Sequence, residues 1–155
     1  MIILFEKLDA EAKSPTHNNA GDAGLDFYTL EPEKILGNSY KVVKTGIRVQ
    51  VPEGHVGLLF PKGKNDHLLG AGVIDTYYEG EVLFKVVNYT DETMWFVSGH
   101  PIGQMIFVPF AEPVPFEAHL KSRNSERGDS GGIKKDLEKC IGQEVEIRID
   151  NHLLL

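Results

Sequence analysis

Short runs of β-branched and aromatic residues, each closed within a few positions by glycine, proline, asparagine or aspartate, constrain this chain more than any other feature. The clearest run is Tyr40-Lys41-Val42-Val43-Lys44-Thr45-Gly46-Ile47-Arg48-Val49-Gln50-Val51-Pro52-Glu53-Gly54-His55-Val56-Gly57-Leu58-Leu59-Phe60-Pro61. Ile47, Val49 and Val51 alternate, the run turns at Pro52-Glu53-Gly54 and resumes, which predicts a β-hairpin. The same signals predict strands over Met1–Leu8, Glu81–Tyr89, Met94–Val97, Gly103–Phe110 and Glu144–Ile149. Only Lys134–Ile141 has helical character, and it is brief. Many short strands with turn signals between them predict an all-β fold, a barrel or a double-sheet jelly roll. There is no internal repeat and no low-complexity tract.

A chain of 155 residues that is 41% hydrophobic and 25% charged holds enough apolar surface for one core, so a single domain over residues 1–155 is expected. The longest apolar runs, Val82–Val87 and Met105–Phe110, are far too short to span a bilayer, and a cytoplasmic location is expected. Cys140 stands alone, and no Cys/His cluster has zinc-site spacing, which fits a reducing compartment. A net charge of -7 disfavours nucleic acid as a partner, because a phosphate backbone needs a basic face. A small anionic ligand is still compatible with basic groups gathered locally.

Two acids occupy positions where chemistry is plausible. In Gly72-Val73-Ile74-Asp75-Thr76-Tyr77-Tyr78-Glu79-Gly80-Glu81-Val82, the β-branched Val73 and Ile74 place Asp75 at a strand end, and the flanking glycines permit a turn or a close ligand approach. A carboxylate fixed there can activate a water; the plainer alternative is a solvated acid in an ordinary hairpin. Asp26 lies in Ala20-Gly21-Asp22-Ala23-Gly24-Leu25-Asp26-Phe27-Tyr28, inside an otherwise apolar run where an acid needs a partner. Backbone hydrogen bonds in a turn would satisfy it, and so would a metal or water role.

These segments together resemble the trimeric dUTPase family. The resemblance begins at Ala20–Asp26, continues through Thr45-Gly46-Ile47 and Pro52–Leu58, and reaches Gly72–Asp75 with Tyr78 and Gly80-Glu81-Val82. Ile102-Gly103-Gln104-Met105-Ile106 is similar to the fourth motif, and Arg127-Gly128-Asp129-Ser130-Gly131-Gly132 to the start of the glycine-rich fifth. Single motifs are weak; several in the family's order are specific. The resemblance implies a dUTPase-like jelly roll of the β-clip type, assembled as a homotrimer with active sites at subunit interfaces. It implies a magnesium-dependent hydrolysis of dUTP, or a related pyrimidine deoxynucleotide, to the monophosphate and pyrophosphate. By similarity Asp75 orients the attacking water and Tyr78 packs on the deoxyribose, with Gly72 and Val73 beside them. Asp26 holds Mg2+ through water, Gln104 contacts the phosphates, and Arg127 with Gly128 closes over them.

The chain also departs from the family. Where the family has Pro-Arg-Ser and a longer loop, this chain has Pro61-Lys62-Gly63-Lys64-Asn65. Lys62 keeps the charge but lacks the planar two-point grip of arginine. Asn65 is the nearest amide able to pair with a base edge, with a turn-forming role as the alternative. The fifth motif lacks its aromatic, and residues 134–155 extend the chain beyond it. These departures support a second reading, a dUTPase-fold protein that binds or sequesters a nucleotide without hydrolysing it. A related deaminase would need a glutamate at the position of Lys85, so that reading is disfavoured.

Overall fold

The computed structural model describes residues 1–119. Strand-forming residues give eleven strands: β1 (Leu4–Lys7), β2 (Leu25–Tyr28), β3 (Glu33–Ile35), β4 (Ser39–Lys44), β5 (Ile47–Gln50), β6 (His55–Phe60), β7 (Leu68–Leu69), β8 (Gly72–Ile74), β9 (Leu83–Asn88), β10 (Met94–Phe96) and β11 (Pro101–Pro109). There is no helix among the described residues, and so none long and apolar enough to cross a membrane. Residues Met1–Pro113 form one compact unit. The helix and strand expected over Lys134–Ile141 and Glu144–Ile149, the extension 134–155, Cys140, Arg127 and Gly128 lie outside the described residues.

The strands form a four-stranded sheet in the order β2-β11-β6-β8, a three-stranded sheet β4-β9-β7, and the pairs β1-β5 and β10-β3. All named pairings are antiparallel. Along β9 the alternation is regular: Phe84, Val86 and Asn88 point inward while Leu83 and Lys85 face outward. The inward faces meet in a core centred on Phe27, Phe84, Ile102 and Met105, where the rings of Phe27 and Phe84 sit 5.9 Å apart in a tilted contact. Gly103 lets β11 pass over this contact, since a Cβ there would lie 2.4 Å from the Phe84 ring. The buried amide of Asn88 donates to the carbonyls of Ile35, Leu36 and Glu92, tying β9 to β3 and the turn before β10.

One expectation is corrected. The turn at Pro52-Glu53-Gly54 exists, closed by the His55 N–H on the Pro52 carbonyl (3.1 Å), with Gly54 at φ 70°. It does not close a hairpin: β5 pairs β1, whereas β6 pairs β11 and β8. Alternation fixes which face of a strand is buried and says nothing about its neighbour. Here the turn carries the chain from one sheet to another.

Candidate functional site

Asp75 follows directly on β8, at an exposed position, and makes no salt bridge among the described residues. The turn that carries it is built locally. The Tyr78 N–H donates to the Asp75 carbonyl (3.1 Å), Thr76 Oγ1 donates to the His55 carbonyl (3.0 Å), and Tyr78 Oη donates to the Glu81 carbonyl (2.9 Å). The Tyr78 ring lies over Gly80, where a Cβ would come within 2.4 Å of its oxygen. Gly72 is packed on Leu59, and Val73 is 62% exposed beside the acid.

Glu81 fastens this turn to the next segment. Its Oε1 accepts the N–H groups of Thr45 (3.1 Å) and Gly46 (2.7 Å), and Gly46 has φ 67°, a conformation that glycine adopts freely. Thr45 Oγ1 donates to the Val82 carbonyl (2.7 Å), and the Val82 N–H donates to that of Ile47 (2.8 Å). The segments Thr45-Gly46-Ile47 and Gly80-Glu81-Val82, far apart in sequence, are thus one hydrogen-bonded unit. Sequence reasoning found both stretches without finding the role of Glu81.

A second cluster gathers Asp26, Lys62 and Gln104. Asp26 is buried on β2, and the Lys62 ammonium and the Asn18 amide both donate to its Oδ2; the side chains of the ion pair are 5% and 15% exposed. Asn18 comes from the turn-rich segment before β2, which Thr16 pins by backbone bonds to Asp26 in both directions (2.8 and 3.2 Å). The other oxygen, Oδ1, accepts no side-chain donor among the described residues. Gln104 Nε2 donates to the Pro61 carbonyl (3.0 Å), and its side chain lies across Gly24, where a Cβ would meet Gln104 Oε1 at 2.4 Å. Asn65 makes the expected turn, its N–H donating to the Lys62 carbonyl (3.0 Å), while its amide also donates to the Ile102 carbonyl (3.0 Å). Lys85 turns its ammonium onto the Tyr40 ring (5.7 Å to the centroid).

The register separates the two clusters. Asp26, Gln104 and Phe60 form one row across β2, β11 and β6, with Lys62 just past its end. Asp75 lies one position beyond the Gly57–Ile74 pair, level with Val56. From Phe60 to Val56 is about 13 Å along the strand, and β2 is three strand spacings of about 4.8 Å from β8, so Asp75 and Asp26 are roughly 15–20 Å apart in one chain.

Fold and site together define a class: an all-β jelly-roll protein with an acid on a rigid turn at one end of a sheet and a carboxylate–ammonium pair at the other. The model of the dUTPase family matches residues 10–134. A deoxyuridine 5'-triphosphate nucleotidohydrolase of Clostridium kluyveri is 31% identical over 137 residues, which cover 84% of this chain and 95% of that one. The chain belongs to the dUTPase family. Among solved structures, the dUTPase of Staphylococcus bacteriophage 80alpha with dUpNHpp has a TM-score of 0.75 at 24% identity, covering 84% of this chain and 95% of its own. A dUTPase from phage phi11 of S. aureus, described for its coordination of a structural Mg(II) ion, has a TM-score of 0.68 at 23% identity, covering 82% and 99%. At these identities the two structures support the fold alone.

Proposed function

We propose that this protein hydrolyses dUTP, or a closely related pyrimidine deoxynucleoside triphosphate, to the monophosphate and pyrophosphate, in sites shared between the subunits of a homotrimer. Water attacks the α-phosphorus, the bond to the bridging oxygen of the β-phosphate breaks, and pyrophosphate leaves. Asp75 orients the water and takes its proton; an exposed carboxylate held by a fastened turn has both the access and the rigidity for this. Tyr78, braced on Glu81, forms the wall for the deoxyribose, with Gly72 and Val73 beside it. Asp26, Lys62 and Gln104 are the phosphate side. Arg127 and Gly128 remain the expected closing arm.

The observation that carries the shared site is the separation of the clusters. Groups acting on one phosphate chain must stand within a few ångströms of it, and Asp75 is too far from Asp26 in its own subunit. A neighbouring copy that brings its Asp26 row to this chain's Asp75 turn resolves the mismatch, and closed symmetry repeats the solution at every interface.

Among the described residues no group of three or more His, Cys, Asp or Glu side chains gathers to ligate a metal directly. An outer contact does fit: Asp26 Oδ1 is not used by Lys62 or Asn18 and can accept from a water on Mg2+, an ion that keeps several waters and arrives with phosphate oxygens. Bound there, magnesium would offset phosphate charge.

The second reading, nucleotide binding without hydrolysis, is favoured by one observation. The Lys62 ammonium and the Gln104 amide are both committed inside the subunit, to Asp26 and to the Pro61 carbonyl. Incubation with a panel of nucleoside triphosphates, with magnesium or with chelator, separates the readings by pyrophosphate release and thermal shift. Turnover of a pyrimidine deoxynucleotide supports the enzyme; a ligand that raises Tm and survives unchanged supports the binder.

A further inference from the structure

The loop from Pro61 to His67 has two halves. The first delivers Lys62 to Asp26; the second builds a separate cavity. Asn65 Nδ2 (3.0 Å) and His67 Nε2 (2.9 Å) both approach the Ile102 carbonyl, which lies at the register shift between Pro101 and Gly103. A carbonyl only accepts, so both nitrogens are donors: His67 carries its proton on Nε2, and the 3.1 Å approach of the two nitrogens is two donors sharing one acceptor. The Asn65 amide is thereby oriented, and its Oδ1 accepts no hydrogen bond among the described residues.

Asn65 lines a cavity of about 310 Å³. Its walls are aromatic. Phe96 meets His67 edge-on at 5.2 Å and leans on His100 at 5.0 Å, and Trp95, adjacent in sequence, is 70% exposed with the Lys34 ammonium 5.0 Å from its ring centroid. Burial, and then the neighbouring His67, push the His100 pKa down, which keeps that ring neutral and apolar in character. Among the described residues the one cation in the cavity lining is Lys64, whose charge Asp66 beside it offsets, while Lys34 stays on the Trp95 ring, so the described lining is not built for a triphosphate. The volume lies at the small end of ligand pockets.

We propose that this cavity is a second ligand site, separate from the Asp75 turn, for a planar nitrogen heterocycle of nucleobase size. The ring packs against Phe96, His100 and Trp95 and donates a ring N–H to Asn65 Oδ1. Aromatic walls bind any base through its π-face, and an oriented amide oxygen selects rings that carry an N–H at the edge.

Trp95 is the only tryptophan in the chain, so its fluorescence reports this cavity alone. The intact protein, with the Asp75 site saturated by the non-hydrolysable analogue dUpNHpp, is titrated with uracil and with 1,3-dimethyluracil, which has the same ring and no N–H. The expected result is saturable quenching by uracil, about tenfold weaker binding of the dimethyl compound, and the same weakening of uracil binding in Asn65→Ala. Linear quenching by both compounds would show collision with an exposed indole and overturn the proposal. Quenching abolished by dUpNHpp would show one site instead of two and overturn it equally. The comparison of the two ligands needs no variant, so the test stands even if Asn65→Ala fails to fold.

Discussion

In the proposed reaction Asp75 supplies the chemistry of a turn that Glu81 fastens to Thr45 and Gly46, and substitution separates the two. Asp75→Asn keeps the shape of the side chain but cannot accept a proton, so hydrolysis should fall about 10²–10⁴-fold while the affinity for dUpNHpp is kept. Steady-state turnover and calorimetric titration check this together; wild-type turnover would remove Asp75 from the mechanism. Glu81→Ala acts differently. It leaves the Thr45 and Gly46 N–H groups without their acceptor, so unfolding in urea should show a loss of about 1.5–3 kcal/mol, with turnover reduced because the turn, though it keeps the Tyr78 bond to the backbone carbonyl at this position, is no longer fastened to Thr45 and Gly46. A stability equal to wild type would mean that water replaces the carboxylate without cost. Much of this was legible beforehand: β-branched residues before an acid, between glycines, place Asp75 at a strand end. The partner of Glu81 was not legible, because the amides it caps lie 35 and 36 positions away and only the fold brings them to it.

At the level of elements, the loop Pro61–His67 is held at several points: Lys62 to Asp26, Pro61 to Gln104, and Asn65 and His67 to Ile102. His100 sits beside His67 where this loop meets β10 and β11, and the lowered pKa of His100 makes the junction sensitive to pH. The folded-state pKa of His100 is held below its ordinary value of 6.5, so below that pH the unfolded chain binds more protons than the folded one. Stability should therefore be full above 6.5 and decline as pH falls towards the folded-state pKa. Thermal unfolding of wild type and His100→Gln across pH 7.5 to 5 would check it; the variant should show a shallower decline, and parallel curves would assign the effect to other groups. Strand existence was largely legible here, as at Met94–Phe96 and Pro101–Pro109, because β-rich runs between turn formers declare themselves. Strand partnership was not. The run from Tyr40 to Pro61 reads as a hairpin, yet β5 and β6 go to different sheets, because alternation carries no address. The double role of Asn65, turn former and donor to Ile102, likewise depends on the register shift in β11, which no local pattern announces.

The whole molecule raises the question of why its candidate functional groups stand so far apart. The Asp26–Lys62–Gln104 row and the Asp75 turn occupy opposite corners of the sheet β2-β11-β6-β8, and several large apolar side chains, among them Leu68, Val73 and Tyr77, remain 53%, 62% and 84% exposed. A homotrimer would cover apolar surface and unite the two corners, so light scattering at micromolar concentration should give the mass of three chains, and a monomer would contradict it. The two acids could be singled out from their surroundings in sequence; their separation across the sheet follows only from register. The most direct test uses two variants that are each inactive alone, Asp75→Asn and Asp26→Asn, co-expressed with different tags and purified through both, with folding of each checked by thermal shift. If every site takes its Asp75 from one subunit and its Asp26 from another, each mixed trimer contains one site in three with both acids intact, and about a third of wild-type activity should return in the doubly purified population. Mixed trimers as inactive as either parent would show that one subunit supplies both acids, and would contradict the shared site.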